Sequence, residues 1–204
     1  MQNAAQFNAA GLVSQRRSEA PVVGMILFII VEAMFFSALI SAYLVTSSQV
    51  DPWPPTGMPV LPAGITLFNT GLLLTSGIFT CLYYRHYANF DSEKRTDFMF
   101  IGLITGALFL LFQGTEWVKM IDFGTTYSSN IHSSFFFLVI GTHGLHVLGS
   151  IIWLAYVFFK IHKPKKSYSH KQLLLSACLL WYFVVLVWPF LYYLIYIYPG
   201  MVKL

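Results

Sequence analysis

The chain has 204 residues, of which 57% are hydrophobic and only 10% charged, with a formal net charge of +4. A soluble domain carries about 25% charged residues, so this composition excludes an ordinary water-soluble enzyme or binding domain. The mean hydropathy of +0.67 points the same way, and the basic balance is explained below by loop lysines and arginines rather than by a nucleic-acid partner.

The length allows one domain, without internal repeats or low-complexity tracts. Cys81 and Cys178 fall in separate apolar stretches, which gives neither a disulfide framework nor a C-x-x-C pair. Both are expected to pack as small core residues.

Crossing about 30 Å of hydrocarbon takes about 20 mostly apolar residues. Five segments qualify, at about 22–46, 64–84, 98–117, 131–159 and 173–198. They predict an all-α integral membrane bundle of five transmembrane helices, with residues 1–21 as a tail and 22–204 as a single membrane domain. The first segment follows Arg16 and Arg17, as the core of a signal peptide would. It exceeds the about 7–15 residues of such a core and contains Glu32, so a retained helix is predicted.

After it, Asp51-Pro52-Trp53-Pro54-Pro55-Thr56-Gly57 cannot continue a helix and predicts a stiff loop. In the third segment Gly102 and Gly106 are spaced for close helix contact. Glu116 and Trp117 stand at its outer end, where water is expected to reach the carboxylate. The fourth and fifth segments are long enough to tilt or protrude. Pro189 removes a backbone bond to the Val185 carbonyl and predicts a kink in the last helix.

Orientation follows from Lys and Arg. Arg16, Arg17, Arg85, Lys94, Arg95, Lys160, Lys163, Lys165, Lys166 and Lys171 fall on one side, against Lys119 and Lys203 on the other. Positive charge collects in cytoplasmic loops, so the N-terminus is predicted inside and the C-terminus outside. Tyrosines and tryptophans near the segment ends suit the two interfaces of a bilayer.

An ionisable side chain deep in a membrane helix costs about 2.5–3.5 kcal/mol or more and demands a partner or a job. Glu32 lies near the middle of the first segment, and His143 and His146 near the middle of the fourth. The carboxyl of Glu32 is either hydrogen-bonded to a neighbouring helix, with His143 or His146 as the expected partner, or a proton-active or lipid-contacting site. The two histidines are three apart and share a helix face. No cysteine or acidic cluster accompanies them, and the other histidines lie at segment ends or in loops, so no metal or haem site is expected in this chain. On the predicted inner side His86, Asp91, Glu93, Asp97, His162 and His170 gather in two loops. They are either a solvated face or a surface that collects protons.

The run Gly141-Thr142-His143-Gly144-Leu145-His146-Val147 resembles the signature of cytochrome c oxidase subunit III. In order along the chain, Gly24 to Ile29 with Glu32 and Phe35-Phe36, Trp53-Pro54-Pro55, Phe68-Asn69-Thr70 with Ser76-Gly77, and Gln113-x-x-Glu116-Trp117 are similar to further motifs of that family. The resemblance is to the form with five helices rather than seven.

It implies a non-redox accessory subunit of a proton-pumping oxidase that reduces oxygen to water, seated in a bacterial cytoplasmic membrane. Its partners would be oxidase subunits I and II, which carry the haem and copper, and a small fourth subunit. The implied role is to stabilise subunit I, hold phospholipid and aid proton uptake. Glu32, the W-P-P loop and the F-N-T run resemble the cytochrome c group more than the quinol group.

One stretch departs from the family. Trp181-Tyr182-Phe183-Val184-Val185-Leu186-Val187-Trp188 has Tyr182 and Val185 where the family has His and Asp. The departure keeps open a quinol oxidase subunit or the related accessory protein of nitric oxide reductases. Outside the family, a proton-coupled transporter acting through Glu32 lacks an inverted repeat, and a haem-carrying cytochrome lacks a second mid-membrane histidine on another helix.

Overall fold

The computed structural model describes residues 2–50, 53, 63–88, 96–122, 124, 126, 128–161 and 168–201, with side chains described for 20–50, 53, 64–88, 96–122, 124, 126, 128–161 and 170–199. The elements are α1 (Gln2–Gln49), α2 (Ala63–Ala88), α3 (Thr96–Asp122), α4 (Ile131–Ile161) and α5 (Tyr168–Tyr192). The last runs on through a π-helical turn, Tyr193–Ile197, into the short α6 (Tyr198–Met201). Five stretches are long and apolar enough to cross a membrane: Ala20–Gln49, Gly64–Ala88, Thr96–Asp122, Ile131–Ile161 and His170–Ile197. The protein is thus an all-α, five-span membrane bundle.

Two boundaries differ from the sequence expectation. Helix α1 starts at Gln2 rather than near 22 and carries Pro21 inside it. Ala4, Ala5, Ala9 and Ala10 are strong helix formers, and one lost backbone bond at Pro21 does not stop a helix favoured on both sides. Helix α3 continues to Asp122 instead of ending near 117. It stops where Gly124 takes φ +78°, the left-handed conformation that ends many helices, with its N–H on the Ile121 carbonyl at 2.8 Å. Helix α4 starts at Asn130, whose side-chain oxygen accepts the Ser133 N–H at 2.8 Å as an N-cap.

Helix α5 is the axis of the bundle, packed against α1, α2 and α4, while α3 lies against α2 and α4. Lipid is as apolar as leucine, so helices in a bilayer associate through close packing and hydrogen bonds. Glycines supply the closeness. A Cβ on Gly102 would meet the Thr80 hydroxyl at 2.9 Å, and one on Gly106 would stand 2.8 Å from the Trp181 ring. The Ser76 hydroxyl donates to the Gly102 carbonyl across the same contact. On the far side a Cβ on Gly141 would meet the Trp117 ring at 2.7 Å.

The large side chains Trp181, Trp188, Tyr43, Phe109, Phe136 and Phe158 fill the interior. Trp53 from the α1–α2 connection is also buried, and its indole N–H donates to the Tyr43 hydroxyl at 3.3 Å; Pro54 and Pro55 lie outside the described residues. Helix α1 is the least covered, presenting Leu27, Val31, Met34 and Val45 outward.

Candidate functional site

Two polar centres occupy the span. The first joins α1 to α4. Glu32 Oε2 lies 2.9 Å from His146 Nε2, and both side chains are largely but not wholly covered. The other ring nitrogen, Nδ1, lies 2.7 Å from the Thr142 carbonyl. A carbonyl only accepts, so Nδ1 carries a hydrogen.

The Nε2 to Oε2 bond then holds one proton between the two side chains, and the pair is neutral in sum whichever atom bears it. That answers the cost of two ionisable groups inside a bilayer. Phe36 sets its ring edge on His146 at 5.2 Å, and Phe35 stacks against it at 6.4 Å, so aromatic rings wall in the pair.

His143, one turn away on α4, does not join this pair. Its Nε2 donates to the Val184 carbonyl of α5 at 3.1 Å, which leaves Nδ1 as the buried nitrogen without a partner. The ring lies 4.9 Å from that of Trp188, with Phe109 edge-on at 6.2 Å. Val184 directly precedes Val185, whose carbonyl Pro189 deprives of its helical donor. His143 thus binds α4 to α5 just before the proline.

The second centre surrounds Glu116, and here the sequence expectation is corrected. Water access was expected at the end of the third helix; Glu116 is 4% exposed. Helix α3 continues for six residues beyond it, and the side chain faces α2 and the π turn rather than the surface. Thr66 donates to Oε1 at 2.7 Å, while Tyr196 at 2.8 Å and Gln113 at 3.3 Å donate to Oε2. Gln113 also donates to the Tyr196 hydroxyl at 3.0 Å and accepts from Asn69 at 3.1 Å. From Thr66 the chain of bonds continues: its carbonyl accepts from Thr70, whose hydroxyl accepts the Trp188 indole N–H at 2.9 Å. Three donors converge on one carboxyl and tie α2, α3 and the end of the α5 segment together.

Sequence reasoning placed Glu116 and missed its partners. Thr66, Asn69 and Thr70 at i, i+3, i+4 on one helix, and Gln113 three residues before Glu116 on another, were the available signal. Tyr196 was not legible, because the π turn rotates it relative to a regular helix.

Of the loop residues, His86 ends α2 with its ring 5.7 Å from Phe98, and Asp97 opens α3, where a carboxylate suits the helix N-terminus. The two therefore sit at one end of the bundle. Asp91, Glu93 and His162 lie outside the described residues, and His170 opens the fifth span with a buried Nδ1. Tyr182 and Val185, which depart from the family pattern, are accommodated without new polar bonds. Val185 packs where a Cβ on Gly77 would come within 3.1 Å, and the Tyr182 hydroxyl is buried with no hydrogen-bond partner. Among the described residues no three His, Cys, Asp or Glu side chains converge as metal ligands.

These arrangements can brace helices and hold a proton between fixed side chains; they offer no open coordination position and no nucleophile. The family model of cytochrome c oxidase subunit III matches residues 9–200. The cytochrome c oxidase subunit 3 proteins of Tragelaphus imberbis and Bos taurus are each 35% identical over 179 residues, covering 85% of this chain and 67% of the relative. A match spanning all five helices, over the residues that build both polar centres, places the chain in the cytochrome c oxidase subunit III family, in a multi-pass membrane subunit of an oxidoreductase complex.

Proposed function

We propose that the chain is the non-redox accessory subunit of a proton-pumping oxidase that reduces oxygen to water with cytochrome c as the electron donor. It packs beside a haem-bearing subunit I and a copper-bearing subunit II, with a small fourth subunit as a further neighbour. It braces subunit I and holds phospholipid. The observation that carries this reading is the family membership across residues 9–200. The polar chemistry supports it: Glu32, His143, His146 and Glu116 are engaged in bonds between helices, as a scaffold requires.

The same reading takes residues 1–21 as a cytoplasmic tail of the single membrane domain, the lysine-rich side as inside, and the membrane as the cytoplasmic membrane of a bacterium. The inner end, with His86 and Asp97 and in sequence Asp91 and Glu93, gathers protons near the pump entrance.

The replacement of the family's His and Asp by Tyr182 and Val185 favours one second reading, an accessory protein of a quinol oxidase or nitric oxide reductase in the same superfamily. Deleting the chain separates these roles. A scaffold for a cytochrome c oxidase predicts an unchanged haem spectrum, retained cytochrome c oxidation and faster loss of activity during turnover. Unchanged durability, or activity with quinol or nitric oxide in place of cytochrome c and oxygen, would reject it.

A further inference from the structure

An apolar slot of about 550 Å³ opens to the outside between α3 and α4. It is lined by Leu110, Gly114 and Trp117 of α3 and by Phe137, Gly141 and Leu148 of α4. One end is closed by Trp117 and Phe137, whose rings meet edge to face at 5.6 Å. That end lies near the membrane surface, because α3 stops at Asp122 and α4 starts at Ile131. The other end, at Leu110 and Leu148, reaches the middle of α4. From Phe137 to Leu148 the helical rise gives a length of about 16 Å, close to the about 15 Å depth of one leaflet's hydrocarbon.

The width decides what fits. Spread over that length, the volume leaves a mean cross-section of about 34 Å². A helix about 10–12 Å across would need about 80–110 Å², so a transmembrane segment of a partner or of a second copy does not fit the slot. The floor stays low because Gly114 and Gly141 carry no side chain. Nothing lies within 4 Å of where a Cβ on Gly114 would stand, so the space at that point is open rather than filled by a neighbour.

We infer that the slot holds one acyl chain of a phospholipid, from the leaflet on the Trp117 side, retained as part of the folded subunit. This deepens the proposal that the subunit holds phospholipid and rests on it. The ester end of the chain would lie by Trp117 and Phe137, and its methyl end by Leu110 and Leu148.

The test uses the intact complex in vesicles of phosphatidylcholine bearing a photoactivatable diazirine on one acyl chain, followed by washing with unlabelled lipid, irradiation and peptide mapping. With the diazirine near the carboxyl, labelling should fall on Trp117 and Phe137; with it at the methyl end, on Leu110 and Leu148. In both cases slot labelling should survive the wash, while labelling of Val31 and Met34 on the open face of α1 should be lost. Gly114→Phe, which fills the slot, should abolish slot labelling and leave unwashed α1 labelling unchanged.

Slot labelling that washes out as readily as that of α1, or that ignores the diazirine's depth, would overturn the inference. So would protection of the slot by a cross-linked polypeptide. If Gly114→Phe fails to assemble, the wash and depth pattern of the unaltered chain still decides. Lipid phosphate that stays with the washed complex while the slot is unlabelled would contradict this assignment and leave the broader proposal of bound phospholipid standing.

Discussion

Glu32 of α1 holds one proton in common with His146 of α4 across 2.9 Å, and this pairing gives a weakly covered helix a fixed position. Helix α1 otherwise packs mainly on α5 and shows an apolar face outward. In a bilayer there is no hydrophobic force to seat such a helix, so a bond of fixed geometry sets its rotation and depth.

The pair predicts a contrast between two substitutions. In Glu32→Gln the amide can donate to His146 Nε2, so assembly and melting temperature in detergent should stay near those of the parent chain. Glu32→Ala leaves Nε2 without a partner in a site of low water content, at a cost of about 1–3 kcal/mol. Its melting temperature should fall, with proteolysis of α1 rising first. Equal loss in both variants would mean that the charge, not the bond, matters.

Around Glu116 the same logic gives a larger effect. Glu116→Leu strands three buried donors, on Thr66, Gln113 and Tyr196, at about 1–3 kcal/mol for each group left unpaired. Tyr196→Phe removes one bond and should cost about a third as much, while Glu116→Gln should be the mildest. Thermal unfolding of the three purified variants checks the order; a Glu116→Leu variant as stable as the parent would contradict the role given to the network.

Much of this was legible in the sequence, for physical reasons that differ by residue. The five spans follow from hydropathy over lengths set by the bilayer. The Glu32–His146 contact follows from the cost of an unpaired carboxyl there, which leaves few partners at the same depth. The setting of Glu116 was not legible. Its burial depends on a helix end displaced by five residues from the apolar boundary and on a π turn that brings Tyr196 round to it. Hydropathy registers neither, because Val118, Lys119, Met120, Ile121 and Asp122 form helix beyond the apolar run, and a one-residue change of helical register leaves composition unchanged.

Close packing through glycine is testable in isolation. Gly106→Ala puts a methyl 2.8 Å from the Trp181 ring, and such overpacking costs about 1–3 kcal/mol. Gly71→Ala meets nothing within 4 Å and should gain about 0.5–1 kcal/mol from helix propensity. Opposite shifts in melting temperature are expected; a shift of the same sign would argue against the α3–α5 contact as drawn.

The direction of insertion has its own test. With ten of the twelve basic residues on one side, the 160–171 stretch should face the cytoplasm. A cysteine introduced at Ser167 should resist a membrane-impermeant maleimide in intact cells and react once the membrane is opened. Labelling in intact cells would reverse the topology.

The central claim is that this chain is a structural part of a larger oxidase, and co-purification tests it most directly. An affinity tag on this chain, with gentle extraction from its own membrane, should recover stoichiometric haem and copper on two other polypeptides, together with oxygen uptake driven by reduced cytochrome c. Recovery of the tagged chain alone, fully folded and without haem, copper or oxidase activity, would contradict the account.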